Sequence, residues 1–232
     1  MKYVVPEDKL FRVRVSGLAQ YVYCGKKSKI VLFNKPEIAD AKSRKAVSIG
    51  IKLHKMYETM MRNLSFDRAL VRFKLKWNYR NFEKQVKDTN ILVTGHPDDI
   101  RVLRITENGK AVKYAALIEV KTTSRKLWKR EVLVGIKQLQ LYMWLLKEEL
   151  DKIGFPLWKY GILEYYSQRT GDLIKRVSVE YDDNIEEWIK YVVDSFKGKK
   201  PLNIPRDIST CKHCYGNIKE KCEYWSMMKD AF

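Results

Sequence analysis

No stretch of about 18 or more apolar residues occurs in this sequence, which excludes a membrane-spanning helix of ordinary length. Histidine is nearly absent, with three in 232 residues, and cysteine is scarce, with four, too few for a dense disulfide framework. Internal repeats and low-complexity tracts are missing, so neither a solenoid nor a long flexible linker is expected. The opening MKYVVPEDKLFRVRVSG carries charge at positions 7, 8 and 9, where a signal peptide is apolar. The chain is therefore read as cytoplasmic, in a reducing compartment where clustered cysteines bind metal rather than pair. Acid is short as well: Asp and Glu number 28 against 46 Lys and Arg, a formal net charge of +18. Thermal adaptation raises both signs together and does not explain a one-sided excess. At 45% hydrophobic the chain can bury a core, and a globular chain this basic faces a polyanion. Nucleic acid is the expected partner, with an acidic protein or a membrane surface as the alternatives.

What is present reads as a mixed α/β chain. A short helix is expected over 16–24, with Ser16 as its cap, and an amphipathic helix over 43–63. At 70–77, LVRFKLKW alternates apolar with basic residues and reads as a half-buried strand. Strands are expected at 91–94 and 98–105, with a hairpin turn at Glu107-Asn108-Gly109-Lys110. YAALIEVKTT, 114–123, is apolar and β-branched enough for a central strand. A helix over 131–151, strands at 158–166 and 173–181, and a helix over 183–197 capped by Asp182 or Asp183 complete the order. One mixed sheet flanked by helices on two sides follows. The residues divide into a main domain, 1–200, and a cysteine-rich segment, 201–232, entered through KGKKPLNIPRDIST.

Two charges stand out on the central strand. Glu119 and Lys121 share one face by the period of two, among Leu117, Ile118 and Val120. Opposite charges on a buried strand are costly unless paired or used. The plain reading is a simple ion pair. Upstream, GHPDDI sets Asp98 three residues after Gly95. A carboxylate from that strand meeting Glu119 would need a divalent cation between them, and oxygen ligands suit Mg²⁺ or Mn²⁺. For Asp98 and Asp99 the plain reading is turn chemistry after Pro97. Strand parity separates them: Asp98 shares a face with Ile100 and Val102, and Asp99 one with Arg101, expected to meet solvent. Close by, TTSRKLWKRE gathers Arg125, Lys126, Lys129 and Arg130 around Trp128. Cations that track phosphates beside a ring that stacks on a base suit single-stranded DNA. Near the end, CKHCYGNIKEKC clusters Cys211, Cys214 and Cys222, a thiolate site for zinc or iron–sulfur that still wants a fourth ligand.

Together these residues resemble a known family. G-H-P-D followed by I-E-V-K is similar to the core of the PD-(D/E)xK phosphodiesterases. GIKLH, with His54 four residues after Gly50, resembles the G-x-x-x-H motif of RecB-type nucleases. Gln138 and Tyr142 in QLQLY resemble their Q-x-x-x-Y motif, and YVYCGKK, with Cys24, resembles the start of their iron–sulfur members. The likeness runs from Cys24 to Cys222 and comes nearest to the CRISPR-associated RecB-like exonucleases, family four of the Cas proteins. AddB-type nuclease domains share the layout. The spacing between Cys214 and Cys222 is wider than the family's.

The resemblance implies a restriction-endonuclease-like fold with an iron–sulfur subdomain formed by both chain ends. Cys24, Cys211, Cys214 and Cys222 would hold a four-iron cluster, a two-iron cluster being the alternative. His54, Asp98, Glu119 and the Val120 carbonyl would hold Mn²⁺ or Mg²⁺, with Lys121, Gln138 and Tyr142 completing a catalytic set. The implied activity is exonucleolytic cleavage of single-stranded DNA ends, 5′ to 3′, in CRISPR spacer acquisition. The CRISPR integrase is the implied partner, with no membrane, and a homo-oligomer is compatible. A restriction-type endonuclease and a non-catalytic DNA-binding scaffold are the alternatives.

Overall fold

The computed structural model describes residues 10–33, 48–52, 55, 65–77, 80–123, 127–205, 211, 214, 222, 223 and 225. Its strands form two sheets where the sequence implied one. In the smaller, β1 (Phe11–Arg14) runs parallel to β3 (Ile91–Gly95), and β2 (Phe82–Gln85) pairs antiparallel on the other side of β3. The larger has the order β4-β5-β6-β7. There β4 (Asp99–Glu107) and β5 (Lys110–Thr123) make a hairpin, β6 (Tyr160–Ser167) joins β5 in parallel, and β7 (Leu173–Glu180) closes antiparallel. The β4–β5 turn is the expected one. Asn108 and Gly109 both take positive φ, 50° and 76°, as a tight two-residue hairpin loop requires.

Helix α1 (Val15–Ala19) passes through a 3₁₀ turn into α2 (Gly25–Phe33). Ser16 caps nothing: α1 starts a residue earlier, after an extended Arg14. The expected strand at 70–77 is a second correction, since α3 (Phe66–Lys74) is a helix. The Ser65 hydroxyl accepts the Arg68 amide proton at its N-cap, and Asp67 sits in the first turn, where the helix dipole favours an acid. Val71 and Leu75 are buried four residues apart, while Phe73, which strand alternation would bury, is 82% exposed. Helix α4 (Lys129–Lys152) is the long helix after the central strand, and α5 (Ile185–Phe196) follows β7. The N-cap of α5 is Asn184 rather than Asp182 or Asp183, with no capping side-chain bond; the Asp182 carboxylate accepts the Asn184 amide proton at 3.1 Å just ahead of it. Only residues 48–52 and 55 of the expected helix over 43–63 are described, and they are helical.

The main core joins both sheets to α4 and α5, with Val13, Val93, Leu117, Leu139, Met143, Leu163 and Ile189 fully buried. Ile118 and Val120 pack with Ile162 and Tyr166 on the opposite face of the larger sheet. The segment after α5 returns to the one between α1 and α2. Asn203 donates to the Tyr21 carbonyl at 2.8 Å and takes the Gly25 amide proton on its own carbonyl at 2.5 Å.

Candidate active site

The chain crosses from the smaller sheet to the larger at His96-Pro97-Asp98, and the site lies at that seam. Backbone pairing of β4 with β5 begins at Asp99 opposite Ile118, so Asp98 falls beside Glu119, one step beyond. The Asp98 carboxylate accepts the Val120 amide proton at 2.7 Å. Glu119 is 2% exposed. Its Oε1 accepts Lys121 Nζ at 2.5 Å and Gln138 Nε2 at 2.7 Å. Gln138 also reaches the Tyr142 hydroxyl, at 3.3 Å. That hydroxyl takes the His96 amide proton, which pins the turn bearing Asp98 to α4. A side chain at Gly95 would bring its Cβ within 2.7 Å of the Tyr142 ring, so only glycine lets strand and ring come this close.

The electrostatics follow from burial. Desolvation, then the neighbouring Asp98 charge, push the Glu119 pKa up to about 8 against the pull of Lys121. Burial alone would lower Lys121, but the carboxylates of Glu119 and Asp98 more than reverse it, and its pKa is raised. Lys121 is therefore an ammonium ion at neutral pH. Burial and the Glu119 charge hold the Tyr142 hydroxyl protonated. Glu119 Oε2 is buried and accepts no hydrogen bond among the described residues. An orphaned carboxylate oxygen beside a second carboxylate is a donor set that fits a hard divalent cation. His54, the remaining expected ligand, lies outside the described residues. Among those described, no three His, Cys, Asp and Glu side chains are gathered closely enough to hold a metal ion. The stretch 48–52 does reach the site's margin, since a Cβ on Gly50 would lie 3.2 Å from Thr122 Oγ1.

Asp99 is not the solvent-facing residue that parity implied. It is 1% exposed and bound by Arg68, with Arg72 Nη1 at 3.6 Å from its other oxygen. Helix α3 supplies both arginines. Arg101 turns instead toward the fully buried Glu164, at 3.8 Å. Of the expected DNA-contacting residues, Arg125 and Lys126 lie outside the described residues. Lys129 and Arg130 belong to the first turn of α4 rather than to a loop. Trp128 is half-buried ahead of them, its amide donating to Glu131 Oε2 at 3.3 Å.

Cys24 precedes α2. Burial raises its thiol pKa, and Cys222 stands near enough to add to the effect. Lys27 lies close to Cys24 and Cys214, and the Cys214 amide donates to the Cys211 carbonyl at 3.0 Å.

A fold with a carboxylate-bearing turn, a Glu-x-Lys central strand and a following helix that grips the glutamate defines a class of phosphodiester-cleaving enzymes. Over residues 31–223 the chain matches the profile of the PD-(D/E)XK nuclease superfamily. It belongs to that superfamily, whose nucleases use divalent metals such as Mg²⁺ and Mn²⁺. Among solved structures it is similar to the crystal structure of SSO0001 at 18% identity and a TM-score of 0.55. That match covers 95% of this chain and 88% of the other, a likeness of fold. No curated protein matches.

Proposed function

We propose that this protein is a divalent-metal-dependent exonuclease of single-stranded DNA ends, running 5′ to 3′, of the CRISPR-associated RecB-like type. The observation that carries the nuclease reading is the convergence of Asp98, Glu119 and Lys121, with no N–H or hydroxyl donor reaching Glu119 Oε2 among the described residues. Asp98, Glu119, the Val120 carbonyl and His54 would hold Mg²⁺ or Mn²⁺. Such an ion polarises a scissile phosphate and lowers the pKa of a bound water. The chain's own residues do the rest. Gln138 and Lys121 fix one oxygen of Glu119 so that the other points into the site. Lys121, partly exposed and cationic, stabilises the charge that develops on phosphorus. Tyr142 holds the Asp98 turn in place. Lys129 and Arg130 at the N-terminus of α4 add cations where the helix dipole is already positive, an arrangement that favours a bound phosphate. The spacer-acquisition setting and an integrase partner rest on the motif likeness.

The deciding assay uses end-labelled single- and double-stranded DNA with Mn²⁺. Cleavage from single-stranded ends is expected, EDTA should stop it, and Lys121→Ala should slow it by about 10²–10³-fold. DNA binding by Lys121→Ala should persist, because it depends on many surface cations. Cleavage in EDTA, or at near full rate in Lys121→Ala, would place the chemistry elsewhere.

We also propose that Cys24, Cys211, Cys214 and Cys222 hold an iron–sulfur cluster that unites residues 201–232 with the nuclease domain of 1–200. Supporting it, Cys24 lies within electrostatic reach of Cys222, and Lys27 within reach of Cys24 and Cys214. Anaerobically purified protein should show visible thiolate-to-iron absorption and contain iron and sulfide. Cys24→Ala should bleach it as fully as Cys214→Ala and lower stability. Stoichiometric zinc without iron would overturn this.

A further inference from the structure

Helix α3 carries a surface that the site does not use. Phe66, Ala69, Leu70 and Phe73 recur at i, i+3, i+4 and i+7, a stripe that ordinarily faces a core. Here Leu70 packs partly against the core, but the two rings face outward. Phe66 is 79% exposed and Phe73 82%, while the inward side of the helix buries Asp67, Arg68 and Val71. Lone exposed apolar residues are ordinary, but two aromatic rings on one helix face mark an interaction surface.

Three observations identify what covers the rings. The first is charge. Arg72 and Lys74 stand in the last turn, exposed Lys76 follows, and Arg104 and Lys113 gather at the first turn through Asp67. On a chain of net charge +18, a second copy brings like charge against like, whereas a polyanion is drawn in. The second is position. Arg68 and Arg72 of this helix hold Asp99, the residue next to Asp98, so α3 borders the candidate site. The third is the side-chain type and its spacing. Seven residues of helix span about 10 Å, close to the rise of three stacked nucleotides.

We propose that the outward face of α3 is a platform for single-stranded DNA. Phe66 and Phe73 stack on bases, the surrounding lysines and arginines follow the phosphates, and the strand is led toward Asp98 and Glu119. The destination of the strand rests on the nuclease reading; the binding does not.

The test is binding of a labelled oligothymidylate in EDTA, where nothing is cut. Phe66→Ala/Phe73→Ala should weaken it by about ten- to a hundredfold. Phe66→Leu/Phe73→Leu should weaken it about as much, since leucine keeps the apolar character and loses the ring. Duplex binding and the thermal midpoint should hold in both, because the rings are in solvent. Wild-type affinity in the alanine pair overturns the platform, and wild-type affinity in the leucine pair overturns stacking. A wild-type dimer that the alanine pair dissociates, with DNA affinity unchanged, would assign the face to a second copy instead. The two readings fail separately. If the protein binds DNA through these rings but never cuts with Mn²⁺, the platform stands and the nuclease reading falls. If it cuts and the alanine pair binds as tightly as wild type, the platform alone falls.

Discussion

Asp98→Asn is expected to abolish metal-dependent cleavage and leave the fold intact, and Asp99→Asn is expected to do the reverse. The two aspartates are neighbours with opposite surroundings. Asp98 faces Glu119 and accepts the Val120 amide proton, which the oxygen of an asparagine side chain also accepts. The change removes the negative charge beside Glu119, and with it one charge that a bound cation would neutralise. Asp99 is a buried counter-ion. Its loss leaves Arg68, 7% exposed, without its compensating charge inside the protein. Stranding one member of a buried pair costs about 3 to 5 kcal/mol. Chemical denaturation of both variants, with cleavage measured per folded molecule, separates the cases. An Asp99→Asn protein that is stable but inactive, beside an Asp98→Asn protein that cuts normally, would shift the ligand assignment by one residue.

The second large effect is a dependence of stability on pH that belongs to Glu119. Its carboxyl is pushed up to about 8 in the folded chain, against 4.5 for an unperturbed glutamate. The folded state therefore keeps a proton that the unfolded state has released across that window. This contribution is complete below the unfolded pKa and is lost as pH rises through the folded one. In EDTA, thermal stability should fall as pH rises from the ordinary glutamate range to about 8, and level off beyond it. Glu119→Gln, which has no proton to lose, should flatten that slope. Mn²⁺ should restore more stability at the alkaline end, because a cation binds the deprotonated carboxylate. Equal slopes in wild type and Glu119→Gln would show that the carboxyl is not protonated by its burial.

Much of this arrangement was legible in the residue pattern. The apolar run around Glu119 and Lys121 could only be an interior strand, and α4 announced itself through long helical periodicity. The turn at Asn108-Gly109 followed from backbone chemistry. The failures have local causes. In 70–77, Val71 and Leu75 satisfy a helical spacing of four as well as an alternation of two, and the cap at Ser65 with Asp67 was the signal that distinguished them. Strands β1 and β2 have four residues each, too few to display a period. The break into two sheets at His96-Pro97-Asp98 depends on which strands pair, which no local pattern encodes. The partners of Asp99 come from a helix about thirty positions upstream, and a lone Asp gives no hint of them.

The seam between the sheets leaves a built-in reporter. Strand β5 runs on past Ile118, where its pairing with β4 stops, and just beyond, on that edge, the Val120 amide is bonded to a side chain instead of a neighbouring strand. An amide proton held by a carboxylate feels the charge of that carboxylate directly. The nuclear resonance of the Val120 N–H therefore moves when Asp98 gains a proton or shares its electrons with a cation. One backbone signal, in a strand otherwise locked by its ladder, thus follows the occupancy of the site with no label attached and no substrate turned over.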